Sequence, residues 1–231
     1  MLPRLLTEFI GTFFLVLTIG LTVLSDTPTL APLAIGSVLM ALVYAGGHVS
    51  GAHYNPAVTL AIWMRRKMLP SEVAPYIAAQ VGGALLAAFL VESILDRPLE
   101  VGPAADTALY EFFLLELLFT FALVLVVLHV ATEEPNQYFG LAIGFTVLAG
   151  AFAAGPISGG AFNPAVALGA ILVEALTGDG DTVDGLWVYL VACLAGGALA
   201  AVVFRLQHPD RPRDERHGGP RAERGGDGDR R

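Results

Sequence analysis

Six long stretches of the chain are almost free of charged residues, and short polar connections separate them. An apolar run of about 20 residues is long enough to cross a bilayer as an α-helix. The pattern therefore predicts an all-α membrane protein and makes a soluble protein with a buried core the weaker interpretation. The first run is too long for a secretory signal peptide, and another span follows it at once. The predicted spans are Leu5–Leu24, Leu30–Gly47, Ser71–Leu95, Ala108–Val130, Tyr138–Ala154 and Gly185–Leu206.

Two further apolar segments are too short to span a membrane. They are Asn55–Trp63 and Asn163–Ile171, and each begins with Asn-Pro-Ala. Asn is a preferred N-cap and Pro is favoured at the first helical position. A stretch containing Gly and Ser precedes each segment and can stay non-helical. We therefore predict two half-helices that enter from opposite faces, with their N-termini meeting near the membrane centre.

The chain contains an internal repeat. An offset of 108 residues places Glu8 on Glu116, and in the longest aligned stretch seven of eleven positions are identical. Each half has three spans, so the second half must be inverted relative to the first. We predict a channel domain over residues 1–206, with halves at about 5–95 and 108–206. The other aligned stretches are Leu33–Gly36 with Leu141–Gly144, Ser50–Leu60 with Ser158–Leu168 and, after a loop-length change, Gly82–Leu85 with Gly196–Leu199.

The charged residues give the orientation. The chain is only 15% charged, against about 25% in average soluble domains. Arg4, the basic group Arg65–Lys67 and Arg205 fall on one side of a six-span protein, and only Arg97 falls on the other. The positive-inside rule then makes both termini cytoplasmic. Residues 207–231 contain almost nothing apolar, so we predict a disordered tail.

Non-helical backbone survives at membrane depth only where it is packed in protein or lines a water-filled cavity. Carbonyl groups before each Asn would provide acceptors, and the two Asn amides would provide donors. Each helix N-terminus carries roughly half a positive charge. Two such termini facing one constriction would repel cations and let neutral molecules pass.

The two Asn-Pro-Ala motifs, Ser50-Gly51-Ala52-His53 before the first, and Glu8 and Glu116 together resemble the aquaporin, or major intrinsic protein, family over about residues 5–206. The resemblance implies six tilted helices plus two re-entrant half-helices, one pore per protomer, a homotetramer, and no cofactor or metal. It implies a passive channel in the plasma membrane that conducts water and excludes ions and protons, with small uncharged solutes as further candidates. It implies that Glu8 and Glu116 hold the backbone of the pore loops. The implied motif residues are Asn55, Pro56, Ala57, Asn163, Pro164 and Ala165, and the implied pore-loop backbone is Ala52, His53, Tyr54, Gly159, Ala161 and Phe162.

The sequence departs from the family at the selectivity filter. The family usually has an Arg three residues after the second Asn, where this chain has Val166. Transferring the other three filter positions gives Gly160, Ala151 and Ile35, so the expected filter is small, apolar and uncharged. Phe152 and Phe162 are near enough to narrow it again.

Several functions fit this sequence. The leading hypothesis is a water channel. The alternative within the same fold is a facilitator chiefly for ammonia, hydrogen peroxide, urea or glycerol. An ion-coupled transporter would need a coupling site, for which Glu8 and Glu116 are the only strong candidates. A junction protein would need a longer docking loop. Cys193, the single cysteine, excludes an intramolecular disulfide, and no set of nucleophile and base suggests an enzyme.

Overall fold

The computed structural model describes residues 1–132 and 136–209. The acidic pair Glu133 and Glu134, and nearly all of the predicted tail, lie outside the described residues. Within them, six helices are long and apolar enough to cross a membrane, as predicted. The helices are α1 (Leu2–Val23), α2 (Ala31–Ser50), α3 (Pro56–Met64), α4 (Pro70–Leu95), α5 (Leu109–Ala131), α6 (Phe139–Ser158), α7 (Pro164–Thr177) and α8 (Leu186–Gln207).

The ends of helices α2 and α6 are set by glycines. Helices α2 and α6 both continue a few residues further than predicted, to Ser50 and Ser158. Each ends because the next residue, Gly51 or Gly159, has a left-handed backbone with φ of 90° or 86°. Such a residue is a common helix terminator, and glycine adopts it without steric cost. The half-helices α3 and α7 have 9 and 14 residues, so α7 is longer than the predicted segment.

The two halves interlock. Helix α1 packs on α4 in the first half, and α5 packs on α8 in the second. Helices α2 and α6 pack against each other across the boundary between the halves. The half-helix α3 packs mainly on α8, and α7 mainly on α4. Each half-helix is therefore supported by a long helix of the opposite half.

Gly83 lets α1 and α4 approach each other closely, and Gly196 does the same for α5 and α8. A Cβ atom on Gly83 would lie 2.3 Å from the Phe9 carbonyl oxygen, and one on Gly196 would lie 2.4 Å from that of Leu117. Small residues at such crossings let backbones approach, which is how membrane helices associate. Gly83 and Gly196 are thus equivalent, at an offset of 113. The alignment of Gly82 with Gly196 was wrong by one residue, because the letters Gly-Gly-Ala-Leu match at an offset of 114 whereas the helix contacts are equivalent at 113.

Candidate functional site

The N-termini of α3 and α7 meet at two asparagines. The Asn55 side-chain oxygen accepts a hydrogen bond from the Ala57 amide (2.8 Å), and Asn163 does the same with Ala165 (2.9 Å). Each side chain therefore caps its own half-helix. Each Nδ2 also donates to the carbonyl before the opposite asparagine, Asn55 to Phe162 and Asn163 to Tyr54, both at 2.8 Å. These reciprocal bonds fasten the halves together and leave one N–H of each amide for another acceptor.

The backbone just before each asparagine is strained in the same way. Tyr54 and Phe162 have φ of 49° and 48°, in the left-handed region that bulky residues rarely adopt. Such backbone costs about 1–3 kcal/mol per residue and persists only where its surroundings impose it. In both halves the strained residue is the one whose carbonyl accepts the opposite Asn amide. The strained backbone conformation therefore points each carbonyl at the asparagine of the opposite motif.

A buried carboxylate fixes the first pore loop, which connects α2 to α3. Glu8 on α1 accepts hydrogen bonds from the backbone amides of His53 (3.0 Å) and Tyr54 (2.7 Å). It also accepts from the hydroxyl of Ser50 (2.7 Å) and from the amide of Gln80 (2.8 Å). Both of its oxygens are occupied, so the side chain holds the loop backbone in place.

Glu116 on α5 makes the matching contacts in the second half. It accepts from the backbone amides of Ala161 (3.2 Å) and Phe162 (2.8 Å) and from the Ser158 hydroxyl (2.7 Å). Where Glu8 has Gln80, Glu116 has the thiol of Cys193 at 3.7 Å. The second carboxylate therefore has a weaker fourth partner.

A cavity of about 500 Å³ extends from the asparagine pair to the face of the molecule at which α7 ends; we call it the long cavity. The four expected filter residues all line it, although they come from α2, α6, α7 and the second loop. Phe152 and Phe162 also line it; Phe152 is 52% exposed, whereas Phe162 is 2% exposed with its ring packed on Phe119. The expected filter residues are Ile35, Ala151, Gly160 and Val166.

A second cavity, of about 640 Å³, lies on the other side of the asparagine pair; we call it the basic cavity. Arg4, His48 and Lys67 line it, and His53 and Val127 line both cavities. The two cavities therefore approach each other at His53. Its ring nitrogen Nδ1 lies 3.1 Å from the Thr59 hydroxyl. In the part of the chain that the structure describes, no group of three or more His, Cys, Asp or Glu residues could hold a metal ion.

Three supporting residues were not identified from the sequence. The hydroxyls of Tyr76 and Tyr189 donate to the carbonyls of Ser50 and Ser158, at 2.9 and 2.6 Å, and so hold the last turns of α2 and α6. Glu174, buried near the end of α7, accepts from the Gly180 amide (2.6 Å) and the Thr182 hydroxyl (2.8 Å). Its single charge in an apolar helix was the signal that could have identified it.

Known proteins are similar to this chain in sequence and in fold. The profile of the Major intrinsic protein family matches residues 1–204. The chain is 34% identical to Aquaporin NIP1-2 of Arabidopsis thaliana, with 91% of this chain and 76% of the relative covered. It is 31% identical to Nodulin-26 of Glycine max, with 93% and 81% covered. The X-ray structure of the aquaglyceroporin from Plasmodium falciparum matches with a TM-score of 0.76 and 25% identity, over 88% of this chain and 95% of that one.

Proposed function

The chain belongs to the major intrinsic protein family of membrane channels, and from this membership we propose that it conducts water passively through its two cavities while excluding ions and protons. Channels of this family are not enzymes, and the protein is a multi-pass channel for water or small neutral solutes. We propose further which of those solutes pass, that ions are excluded, and what single residues contribute.

The reciprocal arrangement of Asn55 and Asn163 carries the proposal. Each amide keeps one N–H that is not used in joining the halves, and the two helix N-termini face the same point. A water molecule arriving there meets donors on one side and carbonyl acceptors before and after. A cation meets about half a positive charge from each helix terminus. Neutral molecules that accept hydrogen bonds are therefore favoured over cations.

The walls of the long cavity favour a second candidate, a facilitator for somewhat larger neutral solutes. The filter positions hold Ile35, Ala151, Gly160 and Val166, none of which is charged and three of which are small. Such a lining offers no side-chain donor that a solute must satisfy, and it takes up less space than a lining that includes an Arg. Urea, glycerol, ammonia and hydrogen peroxide are the solutes to compare with water.

The contacts of the buried carboxylates argue against an ion-coupled transporter. Glu8 and Glu116 each accept three or more hydrogen bonds from the protein, and two of these come from loop amides. Neither side chain lines the long cavity or the basic cavity. A coupling site needs a carboxylate that meets the transported ion.

The proposed placement puts the basic cavity at the cytoplasmic face and the long cavity at the outer face of the plasma membrane. Arg4 and Lys67, on the basic cavity, then follow the positive-inside rule with both termini cytoplasmic. Apolar side chains such as Leu6, Leu33, Leu118 and Phe145 remain exposed on the long helices. They fit contact with lipid and with neighbouring protomers of the proposed homotetramer.

Stopped-flow light scattering on proteoliposomes tests the proposal. We expect the purified protein to raise osmotic water permeability with a low activation energy, and we expect an imposed ion gradient to change nothing. The same vesicles, shrunk with urea or glycerol, report which solutes enter. Water permeability equal to that of empty liposomes, from protein shown to be folded, would refute the water channel.

A further inference from the structure

Gly155 leaves part of the surface of α6 without a side chain, and that surface faces open space. A Cβ atom placed on it would have no heavy atom within 4 Å apart from its own stretch of α6. Every other glycine inside a described α-helix would place a Cβ within 4 Å of another part of the protein. Gly155 lines the long cavity one helical turn beyond Ala151, on the same face of α6. The open space is therefore part of the cavity.

Gly155 also adjoins an expected filter residue. A Cβ atom on Gly160 would lie 2.9 Å from the Gly155 Cα. Gly160 has φ of 64°, so a side chain is disfavoured there on both counts. The backbone of these two glycines forms one continuous wall of the cavity, and only at Gly155 could a side chain be added without a clash.

The repeat shows why this space is open. Gly47 is the residue equivalent to Gly155 in the first half, at the offset of 108, and it lies on the basic cavity. A Cβ on Gly47 would lie 3.2 Å from the ring of Phe139, so an aromatic ring covers that glycine. The residue equivalent to Phe139 is Ala31, which lines the long cavity. A methyl group therefore stands where the other half has a ring, and Gly155 stays uncovered.

We propose that Gly155, together with the small Ala31, is a specificity-determining residue that gives the long cavity room, beside the expected filter, for neutral solutes wider than water, such as urea and glycerol. This inference rests on the proposed function and identifies the position that sets its solute range. Filling the space takes width from the cavity without adding charge. Water, the smallest passenger, loses least, and a branched or planar solute loses most.

The test substitutes Gly155→Ala and measures urea and water permeability of the same proteoliposomes. Alanine is a better helix former than glycine, so the helix itself should tolerate the change. Pro156 follows, but α4 already contains Ala74 before Pro75 in a continuous helix. The matched control is Gly82→Ala, which adds the same methyl group to a helix at ordinary contact distance (3.5 Å from the Phe9 ring) and away from both cavities. A second variant, Ala31→Leu, fills the same space from the other half.

We expect Gly155→Ala to lower the ratio of urea to water permeability about tenfold, the low end of what one methylene group discriminates in an apolar site. Gly82→Ala should leave that ratio unchanged, and Ala31→Leu should lower it. An unchanged ratio in a folded Gly155→Ala protein overturns the inference, and so does a wild type that conducts water but excludes urea and glycerol. If Gly155→Ala fails to fold, the ratio for Ala31→Leu decides in the same way. A wild type without water or solute permeability refutes the proposed function itself, which is a different result from a wild type that conducts and a variant that does not discriminate.

Discussion

Val166 lies three residues beyond Asn163, in the wall of the long cavity, and only 2% of its surface is exposed. An Arg at this position would add volume, a fixed positive charge and five donors. We expect Val166→Arg to keep substantial water permeability and to lower urea and glycerol permeability sharply, with water crossing the same narrowed site. Proteoliposome permeabilities measure both.

The uncharged variant Val166→Leu separates size from charge in that experiment. If Leu and Arg narrow the solute range equally, volume alone sets it. If the wild type admits urea and neither variant changes the ratio of urea to water, Val166 does not lie in the constriction.

The Asn163 amide is the donor that joins α7 to the Tyr54 carbonyl. Asn163→Asp keeps the helix cap but replaces that donor with an acceptor and adds a negative charge beside the two helix N-termini. We expect weaker exclusion of cations, measured as sodium or proton flux in vesicles. Stability should also fall by about 1–3 kcal/mol, the cost of leaving a buried carbonyl without a partner.

Asn163→Ser is the neutral comparison, because serine also caps a helix but does not carry the charge. It should lose stability and keep cation exclusion. Equal cation exclusion in wild type, Asp and Ser proteins would contradict the role proposed for the asparagine pair.

Cys193 is fully buried on α8, 3.7 Å from Glu116, and lines neither cavity. Position 160, which belongs to the expected filter, is glycine and therefore offers no thiol to a mercurial. We therefore expect organic mercurials to leave water permeability unchanged during the minutes of an assay. Rapid block in wild type that is absent from Cys193→Ser would show that the thiol reaches the lumen.

At the scale of elements, the contact of α1 with α4 leads to a sharp prediction. A methyl group at Gly83 would meet the backbone oxygen of Phe9, which cannot rotate away, whereas one at Gly82 would meet only a ring edge at 3.5 Å. Gly83→Ala should therefore destabilise the protein by about 1–3 kcal/mol, as overpacking does, and Gly82→Ala should not. Thermal unfolding of the two purified variants in detergent compares them directly, and equal melting temperatures would contradict the register described above.

Hydrophobic patterning was sufficient to predict all six spans and both half-helices, because twenty apolar residues or an Asn-Pro start have few other interpretations. The four expected filter residues do line one cavity. The register in which helices pack, and the atoms that cover each glycine, were harder to predict. The choice between Gly82 and Gly83, and the open space beside Gly155, depend on which atoms lie opposite, and those atoms belong to helices distant in sequence. The lone charge of Glu174 in an apolar helix was a signal, but its role could not be predicted because the loop groups that it binds have no pattern of their own.

At the scale of the whole molecule, the inverted repeat places Lys67 and Asp181 at opposite ends. Both residues are exposed. In a Cys193→Ser background, we expect a membrane-impermeant maleimide to label Asp181→Cys in intact cells and Lys67→Cys only after permeabilisation. The reverse labelling pattern would invert the proposed orientation and place both termini outside.

The interlocked halves have a consequence for the order in which the chain is made. The Asn55 amide finds its acceptor 107 residues later, at Phe162, and α3 packs on α8, the last helix of the described residues. Until those parts enter the bilayer, the Asn55 amide and the Tyr54 carbonyl lack their partners, and an unsatisfied polar group costs several kcal/mol in hydrocarbon. The first half alone therefore cannot settle into its final form. A nascent chain halted before α8 lacks the helix on which α3 packs, so its first half-helix does not yet have the support that it has in the finished channel.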